Sequence, residues 1–368
     1  MIRCLYLLAY ATLLFSCRNE KIEQVKKVAD TIACEPLLSG ESRFGEEAFG
    51  DVIDLKGKPI PTDFEFKVFE SKMLIKDSLL ILKNRNGNYN FMAFSLPGLR
   101  HLKSFGFYKY ERSFGLDVRG VDELYPKLVP VWDKEYPAGV YNTGNLYYLT
   151  RDFKLVKKLN NIPYEDPRDD YQLIPVSDSV NFIIKKTDRG CSVFLMNCSN
   201  NSISVDSLFS LSLFPNIRSW AAYSGDFEAN PYKKRLVYAY RYFKRLKFMD
   251  FSGQNARDII FSTDSINERK AKKILGPERV THYWGISSGK NYVYVFHSGR
   301  TPLVVAKELQ RGNGYGYIEQ FDWNGNPVRR FKLDHWGYFC VNEDEDRIYL
   351  LSVTSKDPFI VYDLPKTE

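Results

Sequence analysis

At 368 residues the chain has room for two average domains, yet all-β rings and barrels of more than 250 residues fold as one unit, so length does not impose a second domain. Tyr and Phe number 25 and 26, and aromatic residues make up 15% of the chain, which favours strands because flat rings pack well on a pleated surface. The net charge of +7 is modest and spread along the chain, which argues against a nucleic-acid-binding protein.

Residues 1–16 carry one positive charge, Arg3, then an apolar run from Cys4 to Phe15. The run is too short for a spanning helix, which needs about 20 apolar residues, and reads as a secretory signal. Its end, Leu14-Phe15-Ser16-Cys17, resembles the lipobox of bacterial lipoproteins, in which the cysteine is lipidated and becomes the new N-terminus. Phe15 is bulkier than is usual at that place, so plain signal cleavage or an uncleaved anchor are the alternatives to lipidation of Cys17. Residues 17–50 read as a lipidated cysteine and a charged tether with little β pattern, and residues 51–368 as the folded domain.

Six times an apolar residue followed by Ser, Thr, Asn or Asp ends an apolar-rich strand: Phe94-Ser95, Leu149-Thr150, Met196-Asn197, Met249-Asp250, Phe321-Asp322 and Tyr362-Asp363. Turn residues follow the first five, among them Leu96-Pro97-Gly98, Ser252-Gly253-Gln254-Asn255 and Asn324-Gly325-Asn326-Pro327. The repeats lie roughly 54 residues apart on average, close to the ~40–50 of known propeller repeats. Two further strands are expected upstream of each hairpin. They run from Phe64 to Phe69 with Leu79 to Lys83, Leu128 to Asp133 with Ala138 to Asn142, and Tyr171 to Val176 with Asn181 to Lys186. The later pairs are Ile217 to Tyr223 with Arg235 to Arg241, Tyr283 to Ser287 with Asn291 to His297, and Tyr338 to Asn342 with Arg347 to Ser352. Six units of four antiparallel strands predict an all-β, six-bladed β-propeller. The last unit lacks a fourth strand, which Lys58 to Thr62 would supply, closing the ring. Because Ile53-Asp54-Leu55-Lys56-Gly57-Lys58-Pro59 matches the turn at Phe321 to Pro327, a seven-bladed ring is the alternative.

Signal, lipobox cysteine, tether and six blades together resemble the TolB-like six-bladed propeller lipoproteins of Gram-negative bacteria. Members often carry a Gly-rich segment ending in Gly-Pro-Glu after the first blade, and the corresponding stretch from Phe105 to Gly115 lacks it. The resemblance implies a fold and a place in the cell envelope, as an outer-membrane lipoprotein on either face, more than it implies an activity.

Ligands of propellers meet the loops that lead into the inner strands. In the last three blades these read Arg218-Ser219-Trp220-Ala221, His282-Tyr283-Trp284-Gly285 and His335-Trp336-Gly337. Trp220, Trp284 and Trp336, with Arg218, His282 and His335, are the candidate ligand-binding residues, since flat rings with a few polar neighbours suit sugar faces or cations. The opposing reading is that each Trp wedges between blades while the small residue after it lets strands approach. His297 adds a third histidine, and Asp226, Glu228, Asp334, Asp344 and Asp346 are carboxylates of the right type for a metal-assisted site. No spacing among them amounts to a metal motif, and no cofactor is expected. The densest basic stretch, Lys233 to Lys247, reads as the solvated face of a hairpin, the Asn342 to Asp346 run as a solvated turn, and the segment from Ser298 to Tyr315 as a flexible loop insertion. Cys191 and Cys198 share one strand, roughly 23 Å apart, so they do not pair with each other. The expected function is an envelope-anchored binding module for a glycan, peptide or envelope protein; the alternative is a metal-assisted hydrolase or polysaccharide lyase working in the central channel.

Overall fold

The computed structural model describes residues 36–366 except 63–71, 77, 87–88, 108–112, 116–127, 136–142, 151–154, 164–169, 176–179, 188–189, 199–202, 262–266, 275 and 277–278. Among the described residues six sheets follow one another along the chain, each with a core of four antiparallel strands, so the six-bladed reading holds over the seven-bladed one. Each of the six apolar–polar signatures lies at or near the end of a blade's third strand. The polar residue is there for the turn. Asp250 accepts from the Gln254 N–H at 3.1 Å and the Asn255 amide at 2.6 Å, and Asp322 accepts from the N–H groups of Asn324 and Asn326 at 2.9 and 2.8 Å.

The hydrophobic cores lie between blades, which is why second strands are apolar on both faces. In the strand Arg235–Tyr240, Leu236, Tyr238 and Tyr240 pack toward blade three, while Val237 and Ala239 pack toward blade five. In the strand Tyr292–Arg300, Val293 and Val295 face blade four, and Tyr294 and Phe296 face blade six. Ile348 and Leu350 face blade five, whereas Tyr349 and Leu351 face blade one beside Met73 and Leu80, so the ring closes on itself. Cys191 and Cys340 are buried, unbridged members of these cores. Cys17, Cys34 and the side chain of Cys198 lie outside the described residues.

Three expected strands differ. The inner strand of blade four is Gly225–Asn230, because Ile217 to Tyr223 is a loop ending in the 3-10 turn Trp220–Tyr223. Blade one begins at Lys72–Lys76, while the stretch from Phe64 to Phe69 lies outside the described residues. Leu128–Glu135 is the second strand of blade two, not its first, since Ser113–Gly115 precedes it in the sheet.

The last blade, Gly337–Val341, Arg347–Ser352 and Phe359–Asp363, takes its fourth strand from Lys58–Ile60, as expected from the sequence. The chain upstream of that strand is not a free tether. Gly40–Phe44 runs parallel to Ala256–Phe261 on the outer edge of blade four, and Val52–Leu55 runs parallel to Pro327–Leu333 on blade five. Leu37 and Phe49 are buried between those blades, Phe49 stacked on Phe261 at 5.5 Å and edge-on to Phe321 at 5.3 Å. The folded body therefore starts near Leu37, ahead of residue 51, and residues 37–60 form a strap across three blades.

Candidate functional site

Antiparallel alternation brings the start of each inner strand, the link between second and third strands and the end of the outer strand to one face, the upper face. The described residues that lead into the inner strands of blades four, five and six are there. In blade four Arg218 is exposed and Trp220 opens the 3-10 turn, its side chain outside the described residues. In blade five, Tyr283 pairs with His297 and Gly285 with Phe296, so Trp284 is the extra residue of a β-bulge that turns it out of register. In blade six, His335 and Trp336 precede the inner strand, and Gly337 has no room for a Cβ, which would sit 2.1 Å from the Leu351 carbonyl.

The structure brings Trp284 and Trp336 together, with ring centroids 4.8 Å apart and planes tilted by 52°. Trp336 is 7% exposed and also meets Phe296 edge-on, so it does act as a wedge between blades five and six. Trp284 is half-buried, has Tyr338 at 6.3 Å and carries the Arg241 guanidinium over its ring at 5.7 Å. The wedge reading thus holds for Trp336, whereas Trp284 lies beside it, partly exposed. Arg241 sits in the link between the second and third strands of blade four and pairs with Asp226 of the inner strand at 3.5 Å. Its pKa is raised although burial opposes the charge, because Asp226 favours it.

The histidines divide between two places. His282 stacks on His297, centroids 6.1 Å apart, and its backbone N–H donates to the Arg241 carbonyl at 2.7 Å. His335 is bonded through Nδ1 to Asp334 at 2.9 Å and to the Tyr362 hydroxyl at 3.1 Å, where blade six meets the strap. Among the described residues no three His, Cys, Asp or Glu side chains form a metal-holding group, so the metal-assisted alternative has no donor set there. Asp226 and Glu228 are engaged with Arg241 and Ser288, and Asp346 with the Asn342 turn.

Behind His297 lies a buried charge network joining blade four, blade five and the strap. Glu319 is fully buried, 3.1 Å from Lys244 and 3.6 Å from Arg330, and accepts from the Tyr283 hydroxyl at 3.1 Å. Glu46 of the strap reaches the same two cations, Lys244 and, at 2.7 Å, Arg330. Burial pushes the Glu319 carboxyl up, against the pull of Lys244 and Arg330. Burial holds His297 well below the ordinary imidazole range, and Lys244 and Arg330 deepen the effect.

Two bland expectations are overturned by these contacts. The basic stretch Lys233 to Lys247 is not a solvated face: Arg235 and Lys244 are buried, and Arg245 and Lys247 both pair with Asp258. The insertion after Ser298 holds the helix Pro302–Gln310, started by Thr301, whose hydroxyl accepts from the Val304 N–H, and by Pro302 in the first turn. Its Leu309 packs against the core cluster between blades five and six, and Arg300 fixes the far end by pairing with Glu308 and lying 3.9 Å over the Tyr315 ring. Arg241 reads in the sequence only as part of the basic stretch, because its role depends on a neighbouring blade, whereas His297 is expected among the histidines of a metal-assisted site and lies instead against Arg330 and Glu319. Among the described residues no helix is long and apolar enough to cross a membrane.

The sequence pattern of the TolB-like 6-blade propeller-like family matches residues 144–344. No curated protein matches the chain. Among solved structures, a member of the DUF4221 family from Bacteroides vulgatus is similar over 85% of this chain and 96% of its own, at 13% identity and a TM-score of 0.48. Prolyl oligopeptidase B from Galerina marginata is similar over 80% of this chain and 39% of its own, at 13% identity and a TM-score of 0.40.

Proposed function

This chain belongs to the TolB-like 6-blade propeller-like family, and from that premise we propose that it is an envelope-anchored, saccharide-binding β-propeller. Its ligand sits at the upper face of blades four to six. The observation that carries the reading is the Trp284–Trp336 pair with Arg241 across the half-exposed ring. An indole face stacks on the C–H face of a sugar ring, and a guanidinium beside it supplies planar, directional hydrogen bonds. Trp336, locked between blades against Phe296, keeps Trp284 in place before any ligand arrives, so little ordering entropy opposes binding. Anchoring rests on the signal-like residues 1–16 and on Cys17, whose lipidation would display the propeller from the membrane.

The two parts are tested separately. On an oligosaccharide array the full chain should bind, and Trp284→Ala should weaken binding at least tenfold while the melting temperature stays within a few degrees. Binding unchanged by that substitution would sink the site. In cells, labelled palmitate should mark the wild type and not Cys17→Ser; label retained on the variant would refute lipidation at that residue.

A further inference from the structure

We infer that the upper face carries a lipid contact, in which the helix Pro302–Gln310 rests on an anionic membrane surface with its start among the acyl chains and its end at the headgroups. The inference is independent of the saccharide reading. Blades four and six join their second and third strands with residues 241–244 and 353–358, whereas blade five uses 301–315. Closing the blade does not require the helix. Val305 and Leu309, one turn apart, hold it down on the core between blades five and six.

The rest of the helix is turned outward. Pro302, Leu303, Val304 and Ala306 are exposed, Leu303 at 62% and Val304 at 42%. Among the described residues these two are the only neighbouring large apolar residues left in solvent. Leu303, Lys307 and Arg311 follow at four-residue steps, so they share one side of the helix, apolar first and cationic last. Glu308, the one acidic residue between His297 and Ile318, is engaged by Arg300. The outward side is therefore aliphatic and cationic.

Two large aliphatic side chains make too small a patch for a stable protein interface, which buries about 1,200–2,000 Å². A lipid surface takes such a patch, because aliphatic side chains enter the acyl boundary while neighbouring Lys and Arg face the phosphates. Charge selects the face and the lipid. In blades four to six the upper links also expose Arg218, Arg269, Lys272, Lys273 and Lys356, and their described acidic residues, Glu268, Glu308, Asp334 and Asp357, are all partly buried. The lower turns of the same blades expose Glu343, Asp344 and Asp346 against Lys233 and Lys290. An anionic surface is thus met by the upper face.

Bulk association with vesicles does not isolate the helix, since the apolar run from Cys4 to Phe15 can itself enter lipid. Amide exchange reads the helix directly. With the full chain and vesicles of phosphatidylethanolamine and phosphatidylglycerol, the amides of residues 303–311 should exchange several-fold more slowly than without vesicles, and the protection should fade at high salt. Phosphatidylcholine vesicles should protect them far less. Leu303→Ser with Val304→Ser should remove the protection, as should Lys307→Glu with Arg311→Glu, while exchange in the inner strand Thr281–Ser288 stays as in the wild type and so reports an intact blade. Exchange of the helix that is the same with and without anionic vesicles would overturn the inference. Protection that appears without vesicles and grows with protein concentration would overturn it too, by assigning the helix to a second copy of the chain.

Discussion

Asp334 takes hydrogen bonds from three parts of the molecule: the Gly57 N–H of the strap at 3.2 Å, the Tyr362 hydroxyl of blade six at 3.0 Å and the His335 ring at 2.9 Å. Although partial burial opposes its charge, these donors hold its carboxyl below the usual aspartate range. A depressed acid stabilises the folded chain fully above its unfolded pKa, near 3.8, and that contribution disappears as the pH falls through the folded value. Asp334→Ala should therefore cost about 1.5–3 kcal/mol at pH 7, the range for hydrogen bonds to a charged group. The difference from wild type in urea denaturation should shrink as the pH is lowered past that point; a gap that stays constant into acid would contradict the assignment. Glu319 gives a sharper case, because Glu319→Gln removes one of two carboxylates shared by Lys244 and Arg330 in a buried network. Removing one partner of a buried ion pair costs about 3–5 kcal/mol, so the variant should lose that much in the same assay. Trp284 and Trp336 were legible in the sequence because each blade repeats its own inner strand. Arg241 was not, since the contact that gives it meaning crosses from residue 241 to 284, between two blades; His297 was legible as a histidine of the right type, but not its contact with Arg330 across blade five.

The strap shows what a hydrophobic pattern cannot announce. Gly40–Phe44 and Val52–Leu55 attach mainly through backbone pairing to existing edge strands, and much of their side-chain surface stays in solvent. Val52–Leu55 alternates, with Ile53 and Leu55 packed on the core between blades five and six, but Gly40–Phe44 adds only a partly buried Phe44, so the residues up to 50 read as tether. Between residues 36 and 50 only Leu37 and Phe49 are buried, and two residues twelve apart form no pattern. Phe49→Ala should thus cost about 3–5 kcal/mol, as for other fully buried Phe, and should raise amide exchange in Ala256–Phe261, the edge that Gly40–Phe44 covers. Exchange in that strand unchanged by the substitution would show that Phe49 does not hold the strap. The helix Pro302–Gln310 was readable in principle, since Thr301-Pro302 is a helix-start signal. The glycines at 312, 314 and 316 drew attention instead, although Gly314 and Gly316 are small for a packing reason: a Cβ on either would strike Leu309 or Phe296.

At the scale of the whole ring, the six turn signatures and the shortfall of one strand at the C-terminus contained the architecture, because a propeller repeats its local chemistry once per blade. What closes it is a pairing over some 300 residues, Phe359 with Ile60, Ile360 with Pro59 and Val361 with Lys58. The lysine of that strand pairs with Asp363 at 2.6 Å, but both are exposed, so the pair adds little beside the backbone bonds. Closure hides the edge of Phe359–Asp363, a run of apolar residues that would otherwise offer free N–H and C=O groups to another chain. It also sets blade six against blade one, where Phe94 meets Phe359 edge-on at 5.2 Å. A chain starting at Thr62 retains the other three strands of blade six but loses the closing one, and with it the strap over blades four and five. Such a chain should unfold over a broader range than the full chain and associate through the uncovered edges, visible as dimers or larger species by light scattering. Adding back the separate peptide 37–61 should restore the monomer, since the edge it covers is then filled in trans; a truncated chain that remains monomeric and melts as sharply as the full one would mean that the ring holds without its clasp.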